Sequence, residues 1–358
     1  MRFIFKTDYD QDIRIVKHGG QAFWYGLLLL AMLVAPWVAG EYRLTQLSMI
    51  LIYSIAGLGL MVLAGYTGLA SLGHAAFLGV GAYAHAFLLG LGWPFLLSLS
   101  TAAALSAAAG VIVGLPALRV KGIYLAIATQ AFGFIVEEVL ARWESVTNGN
   151  AGRTVPGVVL FGWEIGSSVG FYYLCLAICV VVTLGVLNLV RSGTGRAFVA
   201  IRDSEISAQS MGIAIAQYKT LAFAISAGLT GVAGALYAHA LRFISPDQFG
   251  ALQSIELLLL VVVGGLGSVH GAFLGAIFVI ALPQVIAVSK DYLPPAIGQA
   301  SGLQGLVYGS VLVGIVLFEP LGMYGRWLKL RTYFQLFPFY RRGMFKRQKS
   351  FTKSDRLK

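Results

Sequence analysis

The chain has 358 residues, 58% of them hydrophobic and only 11% charged, with 44 glycines and a mean hydropathy of +0.80. That balance excludes a soluble globular protein and describes a polytopic membrane protein. The formal charge of +11 does not signal nucleic-acid binding, because ten of those net charges fall between Arg326 and Lys358 and leave the rest of the chain close to neutral.

Residues 1–21 mix Arg2, Lys6, Arg14 and Lys17 with Asp8, Asp10 and Asp12, unlike the purely basic start of a signal peptide. They read as a cytoplasmic N-terminal segment, followed by a retained first span. Crossing a hydrocarbon core of roughly 30 Å takes about 20 helical residues, and every backbone polar group must be satisfied internally. Apolar stretches of that kind run at about 22–39, 45–64, 72–91, 95–115, 122–140, 170–190, 218–240, 253–268, 271–288 and 303–318. The expected fold is therefore an all-α polytopic membrane protein of about ten transmembrane helices, its membrane domain covering 22–325. The short alternating segments of a β-barrel do not occur in the sequence.

With the N-terminus cytoplasmic, 21 of the 26 Lys and Arg fall on cytoplasmic segments, including the C-terminus. This orientation makes 141–169 an external loop, 191–217 a cytoplasmic segment, and 326–358 a basic cytoplasmic tail attracted to anionic membrane lipid. The Gly-rich run "GYTGLASLGHAAF" within 65–91 admits a re-entrant hairpin instead of a span. Losing one crossing would place Arg119 and Lys121 outside, so parity favours a crossing, though a broken one. "GGLGSVHG" at 264–271 interrupts the pair at 253–288 in the same way.

Between the sixth and seventh spans lies "RSGTGRAFVAIRDSEISAQSMGI", residues 191–213. Asp203 is expected to cap a helix over Ser204–Met211, with Gly212 as the left-handed stop. The expected outer surface is Ser207, Ala208 and Ser210, with Ile206 and Met211 anchoring the helix to the bundle. Upstream, Phe198, Val199 and Ile201 are expected against the membrane face, while Arg196 and Arg202 reach lipid or protein. Pattern alone leaves two readings open: an interfacial loop helix with solvated charges, or a docking helix for a cytoplasmic partner.

Glycines at close-packing spacing (Gly110 and Gly114; Gly228, Gly231 and Gly234; Gly271 and Gly275; Gly305 and Gly309) imply tight helix contacts. His74 reads either as a buried neutral histidine bonded to backbone or as a pathway residue. Ser71, Gly73 and the Gly264, Gly265, Gly267 turn are candidate pathway residues, since a broken helix near mid-membrane presents N–H groups to a carboxylate. Glu138 and Arg142 read as an interfacial ion pair, Glu256 as facing the bundle interior, and His239 and Arg242 as an outer surface for a delivering protein. Cys175 and Cys179, four apart on one apolar face, read as packing rather than as a disulfide or metal site. The five histidines have no metal spacing that would indicate a membrane enzyme, and paired intramembrane charges of an ion-coupled transporter are few. No phosphate-binding loop of the form GxxxxGK[ST] occurs, so P-loop ATP hydrolysis would have to come from elsewhere.

Four ordered blocks carry a family resemblance: "GYTGLASLGHAAFLGVGAY" (65–83), "LRVKGIYLAIATQAFGFIV" (118–136), "GRAFVAIRDSEISAQSMGI" (195–213) and "VVVGGLGSVHGAFLGA" (261–276). Together they resemble the branched-chain amino-acid permeases of ABC importers, M-type subunit, over most of the chain. The general importer signature of Glu-Ala-Ala and a following Gly departs here, with Glu205 seven residues before Gly212 and Ser207 where Ala is usual. Leu69 and Ala70 replace the polar and apolar residues that commonly precede Ser71. The resemblance implies a permease subunit in the bacterial cytoplasmic (inner) membrane, multi-pass and not itself an enzyme, importing branched-chain or related amino acids. It implies two ATPase subunits that use ATP and Mg, a related permease subunit and an external substrate-binding protein, with no cofactor held by this chain. The ATPase-coupling residues would be Arg196, Arg202, Asp203, Glu205, Ser207, Ala208 and Gly212, on a lever that tilts the spans at 170–190 and 218–240. A urea or short-amide importer of the same superfamily is the alternative, ahead of an ion-coupled transporter.

Overall fold

The computed structural model describes residues 19–120, 122–160, 162–290, 303–318 and 321–336. Most of the N-terminal segment, Lys121 and the tail beyond Leu336 lie outside the described residues. Each of the ten apolar stretches is helical: α1 (Gly19–Val38), α2 (Glu41–Leu60), α3 (His74–Gly90), α4 (Phe95–Ala117), α5 (Ile123–Arg142), α6 (Ser168–Arg191), then two short helices α7 (Gly193–Asp203) and α8 (Glu205–Ser210), followed by α9 (Ile215–Leu241), α10 (Ala251–Gly264), α11 (Val269–Lys290) and α12 (Leu303–Phe318). A further helix, α13 (Gly322–Leu336), follows. Among the described residues, seven runs are long and apolar enough to cross a membrane by length and composition, and Ala22–Val38 and His74–Gly90 are shorter apolar helices. The chain is thus an all-α, multi-pass membrane protein.

α2 is the axis of the bundle, buried along most of its length and packed by α9, α6 and α11. It ends in a π-helical turn, Met61–Tyr66, after which Thr67–Gly73 is non-helical before α3 begins. The interruption expected in 65–91 is therefore real, and α3 spans 17 residues, about 25 Å. The Gly-rich break at 265–268 likewise separates α10 from α11.

The glycine spacing resolves into backbone contact. A Cβ at Gly234 of α9 would fall on the Leu78 carbonyl of α3, one at Gly81 would strike Gly231, and one at Gly110 of α4 would lie 2.6 Å from the Phe223 carbonyl. Across α10 and α11, a Cβ at Gly264 would fall on the Gly271 carbonyl and one at Gly275 on that of Leu260. These helices approach closely because lipid offers no hydrophobic drive between them, and dispersion at short range supplies the cohesion. Gly309 of α12, in contrast, has nothing within 4 Å of a Cβ position. Cys175 and Cys179 are free and buried, as packing residues should be.

α1 is attached through an unusual pair of contacts. Pro36 has no N–H to give the Met32 carbonyl, and the Tyr172 hydroxyl of α6 donates to that oxygen at 2.9 Å, with Tyr173 donating to Leu33 at 2.8 Å. Four short strands, which the sequence patterns did not suggest, tie down the 141–169 loop: β1 (Arg153–Thr154), β2 (Val158–Leu160), β3 (Trp163–Ile165) and β4 (Phe243–Ile244). β1 pairs antiparallel with β4 beyond the end of α9, and β2 with β3 as a hairpin. The Glu138–Arg142 ion pair is present at the end of α5 that leads into this loop.

Replacing Gly234 by Ala is expected to cost at least about 1–3 kcal/mol, because the Leu78 backbone must move. Gly185→Ala, where nothing lies within 4 Å of the new methyl, should instead stabilise by about 0.5–1 kcal/mol. Thermal unfolding of the purified variants in detergent separates the two; equal midpoints would refute the close-packing account.

Candidate functional site

The polar interruption folds into α7 and α8 at one end of the bundle. Ser192 closes α6 by donating to the Leu189 carbonyl at 2.6 Å, and its oxygen accepts the Gly195 N–H to start α7. At Gly195 a Cβ would fall on the Leu189 and Val190 carbonyls, so only glycine permits this reversal. α7 turns Phe198 and Ile201 inward, and Phe198 meets Tyr218 of α9 edge-on at 6.3 Å. The expectation that these residues face the membrane surface is thereby corrected: the apolar stripe of α7 is long enough to pack on its own bundle.

Arg202 lies at the centre of the site. Its Nη1 donates to the Gly65 carbonyl at 3.0 Å, while Nε and Nη2 donate to Asp203 at 3.1 Å. Gly65 lies in the last turn of the π-helical segment, one residue before its end at Tyr66, where carbonyls lack helical partners and the helix pole is negative, so a guanidinium is the fitting cap. The contact is tight, since a Cβ at Gly68 would sit 2.9 Å from the Arg202 side chain and one at Gly267 3.1 Å from Nη1. One arginine therefore joins α7 to the end of α2 and to the break between α10 and α11.

α8 is capped by Ser204 and not by Asp203, which remains helical in α7 with its carboxylate held by Arg202. Ser204 has the extended backbone a cap needs (φ −163°, ψ 112°), and its hydroxyl accepts the Ser207 N–H at 3.2 Å. Gly212 ends the helix at φ +82°, as expected. Lys219 of α9, only 2% exposed, donates to the Glu205 carboxylate at 2.7 Å. Ala208, one turn beyond Glu205, is also buried. This reverses the expected surface: the small alanine faces inward, where it allows close approach, and Ile206 and Met211 point outward, 83% and 81% exposed. Ser207 and Ser210 are exposed as expected, and Arg196 donates to the Arg191 carbonyl. Between α7, α8 and the 67–69 loop lies an open cleft of about 320 Å³ whose walls include Arg202, Asp203 and Glu205.

The candidate pathway residues fall in two places. Gly264, Gly265 and Gly267 lie at the α8 end: Gly267 is beside Arg202, and Gly265 is beside Leu321 and Tyr324 at the start of α13. Ser71, Gly73 and His74 are buried within the bundle. The Leu72 N–H is taken by Thr129 and the Ala75 N–H by Ser254, each at 3.0 Å. At this break the Leu72 and Ala75 N–H groups are thus satisfied by neighbouring helices. Ser226 donates to the Gly59 carbonyl at 2.6 Å, which leaves its oxygen to accept from His74 Nε2–H at 2.9 Å, with Ser71 on the other ring nitrogen.

A second histidine contact escaped the sequence. His85 of α3 and His239 of α9 meet at 2.9 Å near the opposite end, with Ser98 on the far nitrogen of His85. No periodicity links residues 154 apart. Lys219 did give a sign, since an ammonium inside an apolar run requires a counter-charge.

A family model described as branched-chain amino acid transport system / permease component matches residues 42–318. Over 256 residues the chain is 34% identical to the high-affinity branched-chain amino acid transport system permease protein LivM of Salmonella typhimurium, covering 65% of this chain and 58% of that protein. The LivM protein of Escherichia coli K12 matches with the same identity and coverage. The autoinducer 2 import system permease protein LsrC of Enterobacter sp. strain 638 is 26% identical over 238 residues, covering 64% of each chain. The chain thus spans 58% of the length of the two LivM relatives. No solved structure matches it.

Glu205→Gln removes the counter-charge of a buried ammonium and is expected to lower stability by about 2 kcal/mol. The double variant Glu205→Gln/Lys219→Met should recover most of that loss, as read from thermal unfolding midpoints. A Glu205→Gln midpoint equal to that of the parent would show that the pair does not hold α8.

Proposed function

Because this chain belongs to the permease-component family of branched-chain amino acid transport systems, we propose that it is the membrane subunit of an ATP-driven importer for branched-chain or related amino acids. In this reading it sits in the bacterial cytoplasmic membrane with α7 and α8 on the cytoplasmic side. Two ATPase subunits bind ATP and Mg, a related permease completes the pathway, and an external binding protein delivers the solute. The chain itself carries no cofactor.

The exposed pair Ile206 and Met211, on a helix locked to the bundle, is the observation that carries the reading. Ile206 on this six-residue helix and Met211 just after it form an exposed apolar pair of the kind a partner protein covers. The same helix is rigidly attached: the Glu205–Lys219 pair passes its displacement to α9, and Arg202 passes it to the end of α2 and the α10–α11 break. An ATPase groove that binds Ile206 and Met211 differently in its open and closed states supplies the differential free energy that moves these helices. Arg196 and Asp203 border the contact, whereas Glu205 and Ala208 face inward and hold the lever. The similarity to an autoinducer 2 permease supports an architecture in which the solute is set in large part outside the shared membrane core.

Ile206→Asp and Met211→Asp should each weaken ATPase association by about 2 kcal/mol, near thirty-fold, while leaving folded yield unchanged. Co-purification of the ATPases and ATP-dependent leucine uptake into proteoliposomes measure this. Gradient-driven uptake by the lone chain, without ATP or partners, would overturn the importer reading.

A further inference from the structure

At the end of the bundle opposite α8, a cleft of about 400 Å³ opens between the 141–169 loop, the start of α2, the start of α6 and the last turn of α9. This size lies in the range of small-molecule sites. Two opposite charges line it, Glu164 on β3 and Arg242 just after α9. They form no ion pair with each other, and neither has a charged partner among the described residues. Glu164 lies three residues before the N-cap of α6 and Arg242 immediately follows the C-terminus of α9, and both are exposed to the cleft's opening. Val158, Ile165 and Phe171 supply apolar wall, and Ser48 and His239 supply polar floor.

The backbone of Arg242 adds an independent sign. It adopts φ +61°, ψ −10°, a left-handed conformation that glycine accepts freely and arginine does not. The strain is held by its N–H on the Ala238 carbonyl and its carbonyl accepting from Val155, both at 2.9 Å. A chain that places arginine where glycine would be unstrained uses the side chain, and such strain collects at ligand sites.

We propose that this cleft is a binding site for a zwitterionic α-amino acid with an aliphatic side chain, its carboxylate on Arg242, its ammonium on Glu164 and its side chain against Val158 and Phe171. A planar guanidinium takes a carboxylate through two parallel N–H donors. A ligand carrying both charges bridges two protein charges that do not reach each other, whereas a simple amine or acid leaves one of them unanswered. The site deepens the importer reading and rests on it, giving the solute a station at the outer mouth.

The test uses the full chain in lipid nanodiscs and a diazirine analogue of leucine, with cross-linked peptides mapped by mass spectrometry. The expected result is labelling within 155–171 and 239–242, competed by leucine but not by 4-methylpentanoate, which lacks the amine, or by isoamylamine, which lacks the carboxylate. Arg242→Gly removes the strain and should unfold no earlier than the parent, yet lose labelling at least tenfold; Glu164→Gln should lose it comparably. Label absent from the cleft, or unchanged in both variants, overturns the site. So does a loss confined to docking of the external binding protein. ATP-dependent leucine uptake, measured separately on the same variants, distinguishes failure of the site from failure of the importer reading.

Discussion

Hydrocarbon has no hydrogen bonds to offer, so every interruption of a helix in this chain must find its partners elsewhere in the protein. Pro36 and the two sides of the α2–α3 break are resolved in this way. The carbonyl freed by Pro36 receives the Tyr172 hydroxyl, the turn before α3 receives Thr129 and Ser254, and the end of α2 receives Arg202. Each repair is made by a side chain from a distant helix, so each also fixes where that helix packs. The breaks therefore organise the bundle instead of weakening it.

α9 draws the two ends together. It is 27 residues long with no internal proline, and its glycines bring it into backbone contact with α3 and α4. At one end Lys219 grips α8; at the other, the Arg242 carbonyl holds the 153–158 segment through the Val155 N–H. A helix clamped at both ends and packed through glycine in between bends little. At 1.5 Å per residue α9 spans some 40 Å, from α8 to the loop bordering the charged cleft.

Much of this was legible in the sequence because membrane helices announce themselves by length. All ten apolar stretches became helices, the glycine spacings of α4, α9, α10 and α11 became close contacts while Gly309 of α12 did not, and Gly212 became the helix stop. What depended on orientation within a short polar segment was not legible. Ala208 faces inward and Ile206 outward because the Glu205–Lys219 pair sets the rotation of α8, and that pair joins residues 14 apart across a turn. Asp203 was misread as the cap because its carboxylate is engaged by its neighbour Arg202, a contact that composition does not reveal. The His85–His239 contact and the β1–β4 ladder arise from segments far apart in sequence, where periodicity carries no information. Membership of the permease family was written in four ordered motifs, but the charged cleft, formed by a loop and three helix ends, was in none of them.

The donors that satisfy the start of α3 bear on biogenesis. The Leu72 N–H waits for Thr129, made 57 residues later, and the Ala75 N–H for Ser254, made 179 residues later. A chain threaded into the bilayer in order therefore holds an unfinished third helix until the tenth has entered. Until then those two amides lack the partners they have in the folded bundle.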